Sequence, residues 1–589
     1  MMNSSFSPTW RRVRHFLGAA SLATILATGL VAGGTGVGAV RADTTPDLPQ
    51  ATNFTGAYLS GLFAANQRDK TAAYSFLAEA LRLNPSDAAL LDRAFYAAVQ
   101  AGATEDAFEL AARVHELEHN DQLARIVLGA RAFRARQFAE ARRMMGTEQA
   151  APVMQLAKSL LTAWTFAGSD QLSEALATVD SIDDLGNSDI RWIKSLATGL
   201  IAEYSGDLDL AVSAFESSYE SNPGLIPIVT AYTRLLSRTD QADKALEILR
   251  DLDARVPGQD SLLSAIDALE NGRTPGQAID RPVRGGAESL FNIGSALGRD
   301  PQDETSVLFF QLTLMLVPEH TGALLGIGAH LMAVEDYHGA IATFLRVPED
   351  TPQRVTADLN RARALNDLER TEEALALVEG LAETNPSQEV FFTQASILHG
   401  HKDYLEAADA YTRAIANAGE IDASDWYLFY YRGMVRERGN RWPQAERDFQ
   451  RALELNPDQP YVLNYLGYTW VDKGINLDEA IEMVRKAVSL RPQDGDITDS
   501  LGWAYYRLGN YEQAVKYLER AVELRPEEPV IHDHLGDAYW KVGRLREARF
   551  QWAHARDLDP DPDVLVSVLD KLANGLTEET LPVRAEAAE

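Results

Sequence analysis

The chain contains no cysteine. That excludes disulfides, thiolate metal sites, a cysteine nucleophile and a lipid carried on cysteine, so the fold rests on packing alone. Basic residues are scarce: 55 Lys and Arg stand against 86 Asp and Glu, a formal charge of −31. Such a chain repels nucleic acid and anionic membrane surfaces, and the charge keeps a long exposed surface soluble. Long uncharged runs are missing beyond Val40, so no later stretch can span a bilayer. No phosphate-binding glycine loop, no G-x-S-x-G turn and no carboxylate pair in a catalytic frame occurs.

The start of the chain differs from the rest. Arg11, Arg12, Arg14 and His15 are followed by an uncharged run from Phe16 to Val40, and Val40-Arg41-Ala42 places small residues before Asp43. This reads as a cleaved signal peptide over 1–42. An uncleaved anchor is the rival, weakened by Gly33, Gly34, Gly36 and Gly38. The expectation is export to the periplasm or envelope, with membrane contact only through this segment if it is retained.

What is abundant is repetition. Pro457, Pro492, Pro526 and Pro560 lie 35, 34 and 34 residues apart. Before Pro526, Leu501, Gly502 and Tyr505 mark one helix face, Gly509-Asn510 breaks that helix, and Tyr511, Ala514, Leu518 and Ala521 form the stripe of a second. A glycine inside a helix costs about 1 kcal/mol, so Gly502 implies a close crossing, expected opposite Ala514. Gly433, Ala445, Phe449 and Ala452 fill the same places one unit earlier, and Gly536, Ala548, Trp552 and Ala555 one unit later. Residues 460–492 carry Gly467, Ala480 and Ala487 with one extra residue between the helices.

This pattern resembles the tetratricopeptide repeat (TPR) family, in which L-G-x-x-Y is followed by A-x-x-x-F and then A and P. The resemblance implies an all-α, right-handed α-solenoid in which each repeat packs on its neighbours. Weaker copies are legible elsewhere. They give an N-terminal array over 43–259, degenerate around 88–185, and a linker over 260–286, where Asn271–Gly286 reads as a loop. A C-terminal array covers 287–562, a capping helix 563–576 and a disordered tail 577–589. About six repeats precede the linker and about eight follow it. The arrangement also resembles exported many-repeat proteins of Gram-negative bacteria.

The resemblance assigns groove-facing places on each first helix. In the clean repeats they carry Tyr427, Tyr430, Tyr461, Asn464, Tyr468, Asp496, Asp499, Trp503, Tyr506, Arg507, Asp533, Asp537, Trp540 and Lys541. This aromatic and acidic set lacks the Lys/Asn clamp of co-chaperone repeats. It points to protein partners with basic segments held by a non-catalytic scaffold, with no cofactor. A second reading is a carbohydrate-binding or polysaccharide-export accessory, since aromatic grooves stack sugars.

One enzymatic motif competes. His115-Glu116-Leu117-Glu118-His119 matches H-E-x-x-H, in which two imidazoles on one helix face bind zinc and the glutamate acts as base. Here Val114 and Leu117 close a repeat helix, the helix ends at Asn120, and no third ligand is evident. Surface or inter-helix roles are expected for these histidines, for His399 and His401, and for His532 and His534. No catalytic and no metal-binding residue is assigned.

Overall fold

A repeated helix pair needs a start, a tight turn and a close crossing. Starts are made by short polar side chains that accept from an otherwise orphaned helix amide. Asp87 accepts from Leu90 N, Asp494 from Ile497 N, and Asn510 from Gln513 N. Most turns inside a pair hold one residue at positive φ, and the turn after Pro460–Lys473 holds two, Gly474 and Asn476. In the first half such residues include Arg68, Gly102, Arg136 and Asp170, each 34 residues after the last. That spacing runs through the stretch where the sequence repeat is faintest.

The crossing is set by glycine. A Cβ on Gly502 would lie 2.6 Å from Leu518 Cγ and 3.1 Å from the Leu518 amide nitrogen. The side chain met is thus Leu518, one turn beyond the expected Ala514. The same offset sets Gly328 against Phe344, Gly433 against Phe449 and Gly536 against Trp552.

The computed structural model describes residues 53–576, apart from 118–120, 148–149, 183–190, 257–259, 274–275 and 299–303. The expected signal peptide and acidic tail lie outside the described residues, as do Glu118, His119 and Asn120. The described residues form thirty α-helices and no strand. Fourteen pairs account for twenty-eight of them; Asp260–Glu270 and Pro562–Asn574 stand alone. The protein is an all-α solenoid. No helix among the described residues is long and apolar enough to cross a membrane.

The solenoid turns back on itself once. The helices Pro282–Leu297 and Glu304–Leu316 pack against first helices of the earlier repeats. Pro282–Leu297 lies on Pro152–Ala167 and Arg191–Tyr204, and Glu304–Leu316 on Ala88–Gln100 and Gln122–Arg134. Trp164 Nε1 donates to Ser289 Oγ at 3.0 Å, Gln311 Nε2 to the Gln100 carbonyl at 3.2 Å, and Lys70 Nζ meets Glu304 at 2.6 Å. Every residue from Ser306 to Leu316 is buried, as suits a helix apolar on all sides. One apolar core runs from Ala57 to Leu316.

The loop expected over Asn271–Gly286 is therefore shorter. Pro282 opens a helix at the position where its missing N–H costs nothing. Gly285 and Gly286, which read as loop signals, are where the Trp164 and Phe133 rings reach that helix. The start of the second half is built into the core of the first.

Candidate partner-binding site

The first helices from Trp426 to Lys541 carry the residues that the repeat pattern places in a groove. The structure shows what each one touches. Tyr427 OH accepts from Gln388 Nε2 at 2.5 Å, and its ring meets Phe392 edge-on at 5.4 Å. Tyr430 sits among Trp426, Phe449 and Tyr465, with centroids 5.9–6.2 Å away. Asn464 and Tyr468 are buried, and Asn464 Oδ1 has no partner. Tyr461 is the one exposed member, at 39%. Its hydroxyl accepts from Arg491 at 2.6 Å, and the same guanidinium lies over its ring.

The four aspartates do not stand free. Asp496 pairs with Arg525 at 2.5 Å, and Asp499 with His534 Nδ1 at 3.0 Å. Asp533 and Asp537 share the Lys571 ammonium at 2.7 and 2.9 Å. Asp537 also accepts from Trp552 Nε1 at 2.9 Å. Asp499, Asp533 and Asp537 are all buried. The patch that reads as acidic in one helix is neutralised by cations from later in the chain. Lys571 comes from the terminal helix Pro562–Asn574, whose Val568 is fully buried, so this helix does continue the stack.

The electrostatics follow from burial and these pairs. Burial opposes the charge on His534, but the Asp499 carboxylate, with Asp533 and Asp537 beyond it, overcomes this and holds the imidazole above its ordinary value. Burial likewise opposes the Lys571 ammonium, and Asp537 and Asp533 together hold it well above the lysine range. Burial raises the Asp537 carboxyl in spite of Lys571, because Asp533 lies beside it. The Tyr506 phenol is pushed far up by burial and by Asp537, and its hydroxyl has no partner.

Trp503 is stacked on Tyr506 at 4.7 Å and on His534 at 4.0 Å. Trp540 packs on Trp552 at 5.3 Å, and Gly575 closes on its ring. Arg507 pairs with Asp472 at 2.8 Å, and the Lys541 ammonium lies 5.9 Å over Tyr511. The aromatics thus serve first as packing between repeats, with Tyr461 at the surface and Trp503, Trp540 and Lys541 half-exposed. The sequence reading missed Arg491, Arg525 and Lys571. Arg491 and Arg525 follow the second helix of the same pair, 30 and 29 residues after Tyr461 and Asp496, and Lys571 lies 38 and 34 residues after Asp533 and Asp537.

Of the H-E-x-x-H motif, His115 lies in the helix Thr104–Leu117, while His119 lies outside the described residues, among which no group of three metal-ligand side chains gathers.

Sequence comparison agrees with this architecture. A tetratricopeptide repeat model matches residues 325–389, 392–460 and 430–496, and a TPR repeat model matches 502–543. The chain carries tetratricopeptide repeats. It is 31% identical over 155 residues to a TPR repeat-containing protein of Pseudomonas aeruginosa, covering 26% of each chain. It is 31% identical over 175 residues to human tetratricopeptide repeat protein 13, covering 29% of this chain and 20% of that one. The match thus spans about a quarter and a fifth of these relatives. Among solved structures, the APC/C hetero-tetramer Cut9–Hcn1 is similar at 14% identity and a TM-score of 0.36, over 89% of this chain and 96% of that one.

Proposed function

We propose that this protein is a non-catalytic scaffold of the bacterial cell envelope that holds protein partners along the first helices of its second half. The observation that carries this reading is the difference between the two halves. First helices of the early repeats are covered by the chain's own Pro282–Leu316 segment, whereas those from Trp426 onward present Tyr461, Trp503, Trp540 and Lys541 at or near the surface. Half-exposed aromatics among engaged charges are the kind of surface that supplies interface energy. A charge of −31 favours partners with basic segments through long-range attraction. Short-range pairing with Asp496, Asp499, Asp533 or Asp537 would first have to displace an internal cation. The basic start, uncharged run and small residues before Asp43 support export.

Site-specific photo-cross-linking in cells tests this. A cross-linker at Tyr461 or Lys541 should give discrete protein adducts, and one at Leu490, exposed on a second helix, should not. Equal adducts from both faces, or none from the first, would sink the proposal. Fractionation should find a mature chain starting near Asp43 outside the cytoplasm.

A further inference from the structure

The terminal helix Pro562–Asn574 covers the last of the first helices, and little holds it there. Within it only Val568 and Lys571 are buried, whereas Pro529–Lys541 buries eight residues and Gly495–Arg507 ten. Val566 and Leu569 are 70% and 47% exposed. The main attachment is polar. The Lys571 ammonium meets Asp533 at 2.7 Å and Asp537 at 2.9 Å, and Arg549 donates to the Leu572 carbonyl at 2.6 Å. Desolvation offsets much of the attraction among three buried charges, so this helix belongs to the least stable end of the fold. What lies beneath it is rigid. Asp537 is fixed by Trp552 Nε1, and Trp540, one turn on, lies under Gly575. The Tyr506 hydroxyl, buried and without a partner, feels Asp537 more strongly than any other charge.

From these features we infer that Asp533 and Asp537 form a lysine socket whose resident ligand is the chain's own terminal helix, and that a partner's helix with an apolar residue three places before a lysine replaces it. The resident helix supplies the pattern. Val568 and Lys571, three apart, share one face, with Val564 and Leu572 half-buried on either side. Two carboxylates converging on one point suit a compact ammonium better than a planar guanidinium. The inference rests on the reading of the first helices as a partner surface and gives that surface a chemistry at its last repeat. Because the resident helix is tethered, it competes at a high effective concentration, and a partner binds weakly until it leaves.

The test uses three synthetic peptides: residues 562–576, the same with Lys571→Met, and an alanine–glutamine helix that keeps only Val564, Val568, Lys571 and Leu572. They are titrated against the full chain and against two full-length variants that free the socket, Val568→Asp and Lys571→Met. The first peptide should bind both variants at least tenfold more tightly than the parent. It should also raise the melting point of the Lys571→Met chain, whose missing ammonium it supplies. The Lys571→Met peptide should bind at least tenfold more weakly. So should the first peptide once Asp533→Asn and Asp537→Asn are added to Val568→Asp. The third peptide should bind as the first does. Equal binding of the first two peptides, no gain in either variant, or failure of the third would each overturn the inference. Loss of the helices before Pro562 in both variants would do the same, since the terminal helix would then be part of the core and not a cover. Cross-linking at Tyr461 is unaffected by any of these results, so the groove reading stands or falls separately.

Discussion

Two helical glycines of this chain should respond to alanine with opposite signs. Gly380 lies within Thr371–Thr384, and a Cβ there meets nothing within 4 Å. Gly380→Ala should stabilise its helix by about 0.5–1 kcal/mol, the propensity difference. Gly502 starts with the same gain but pays it back. Its new Cβ would sit 2.6 Å from Leu518 Cγ, 2.8 Å from Cδ2 and 3.1 Å from the backbone nitrogen. Carbon contacts settle at about 3.5–4.0 Å, so the helices must part by several tenths of an ångström. Leu518 is fully buried and is met at its branch point and amide, not at a mobile tip. Overpacking of this kind costs about 1–3 kcal/mol, leaving a net loss of up to about 2 kcal/mol. Gly502→Leu should cost more. Hydrogen exchange of the Tyr511–Leu524 amides under native conditions reads this locally, which suits a solenoid that need not unfold in one step. A cycle sharpens it: Leu518→Ala alone should cost about 2–5 kcal/mol, and about 1–3 kcal/mol less once Gly502 is alanine. If Gly502→Ala protects those amides as Gly380→Ala protects its own, and the cycle is additive, the close-crossing argument is wrong.

Lys571→Met should leave two buried carboxylates uncompensated and destabilise the terminal helix by about 3–5 kcal/mol. Adding Asp533→Asn and Asp537→Asn should recover much of that loss in a urea melt. The His534 imidazole is held above its unfolded value of about 6.5, so its contribution is complete below that pH and is lost as pH rises through the folded value. Thermal stability of the last repeats should therefore fall as pH rises above the unfolded value and through the raised folded one. Asp499→Asn should flatten that slope and lower the imidazole titration seen by NMR. Finally, His115→Ala with His119→Ala should leave the melting point unaffected by a chelator. A chelator-sensitive parent that loses this sensitivity in the double variant would restore the zinc reading.

The helix pairs of the second half were legible because their signals lie within one unit: Gly433, Gly502 and Gly536 in the first helix, a large residue sixteen places on, and a proline at the end. The turns were hard to read in both halves wherever Arg68, Arg136, Asp170, Glu335, Glu369, Lys402 or Asn440 takes the left-handed conformation that glycine would have announced. The fold-back was not legible. Gly285-Gly286 beside Pro282 carries the composition of a loop, and only the Trp164 and Phe133 rings, more than a hundred residues earlier, make it a packed helix. The same holds at the candidate groove. Nothing within Gly495–Arg507 or Pro529–Lys541 tells that Asp499 answers to His534, or Asp533 to Lys571. Pairing across units is invisible to a pattern read within one.

The buried helix Glu304–Leu316 also sets a clock. Lys70 waits 234 residues for Glu304, and the Gln100 carbonyl waits 211 for Gln311. On a ribosome adding about 5–20 residues per second, the early repeats exist for at least about ten seconds before the helix that completes their core is made. A solenoid closed only by nearest neighbours can gain or lose a unit with little disturbance. Here a unit inserted between Lys70 and Tyr204 would carry its neighbours out of reach of the returning helices. The number of repeats in the first half is therefore fixed by geometry, while the second half remains free to lengthen.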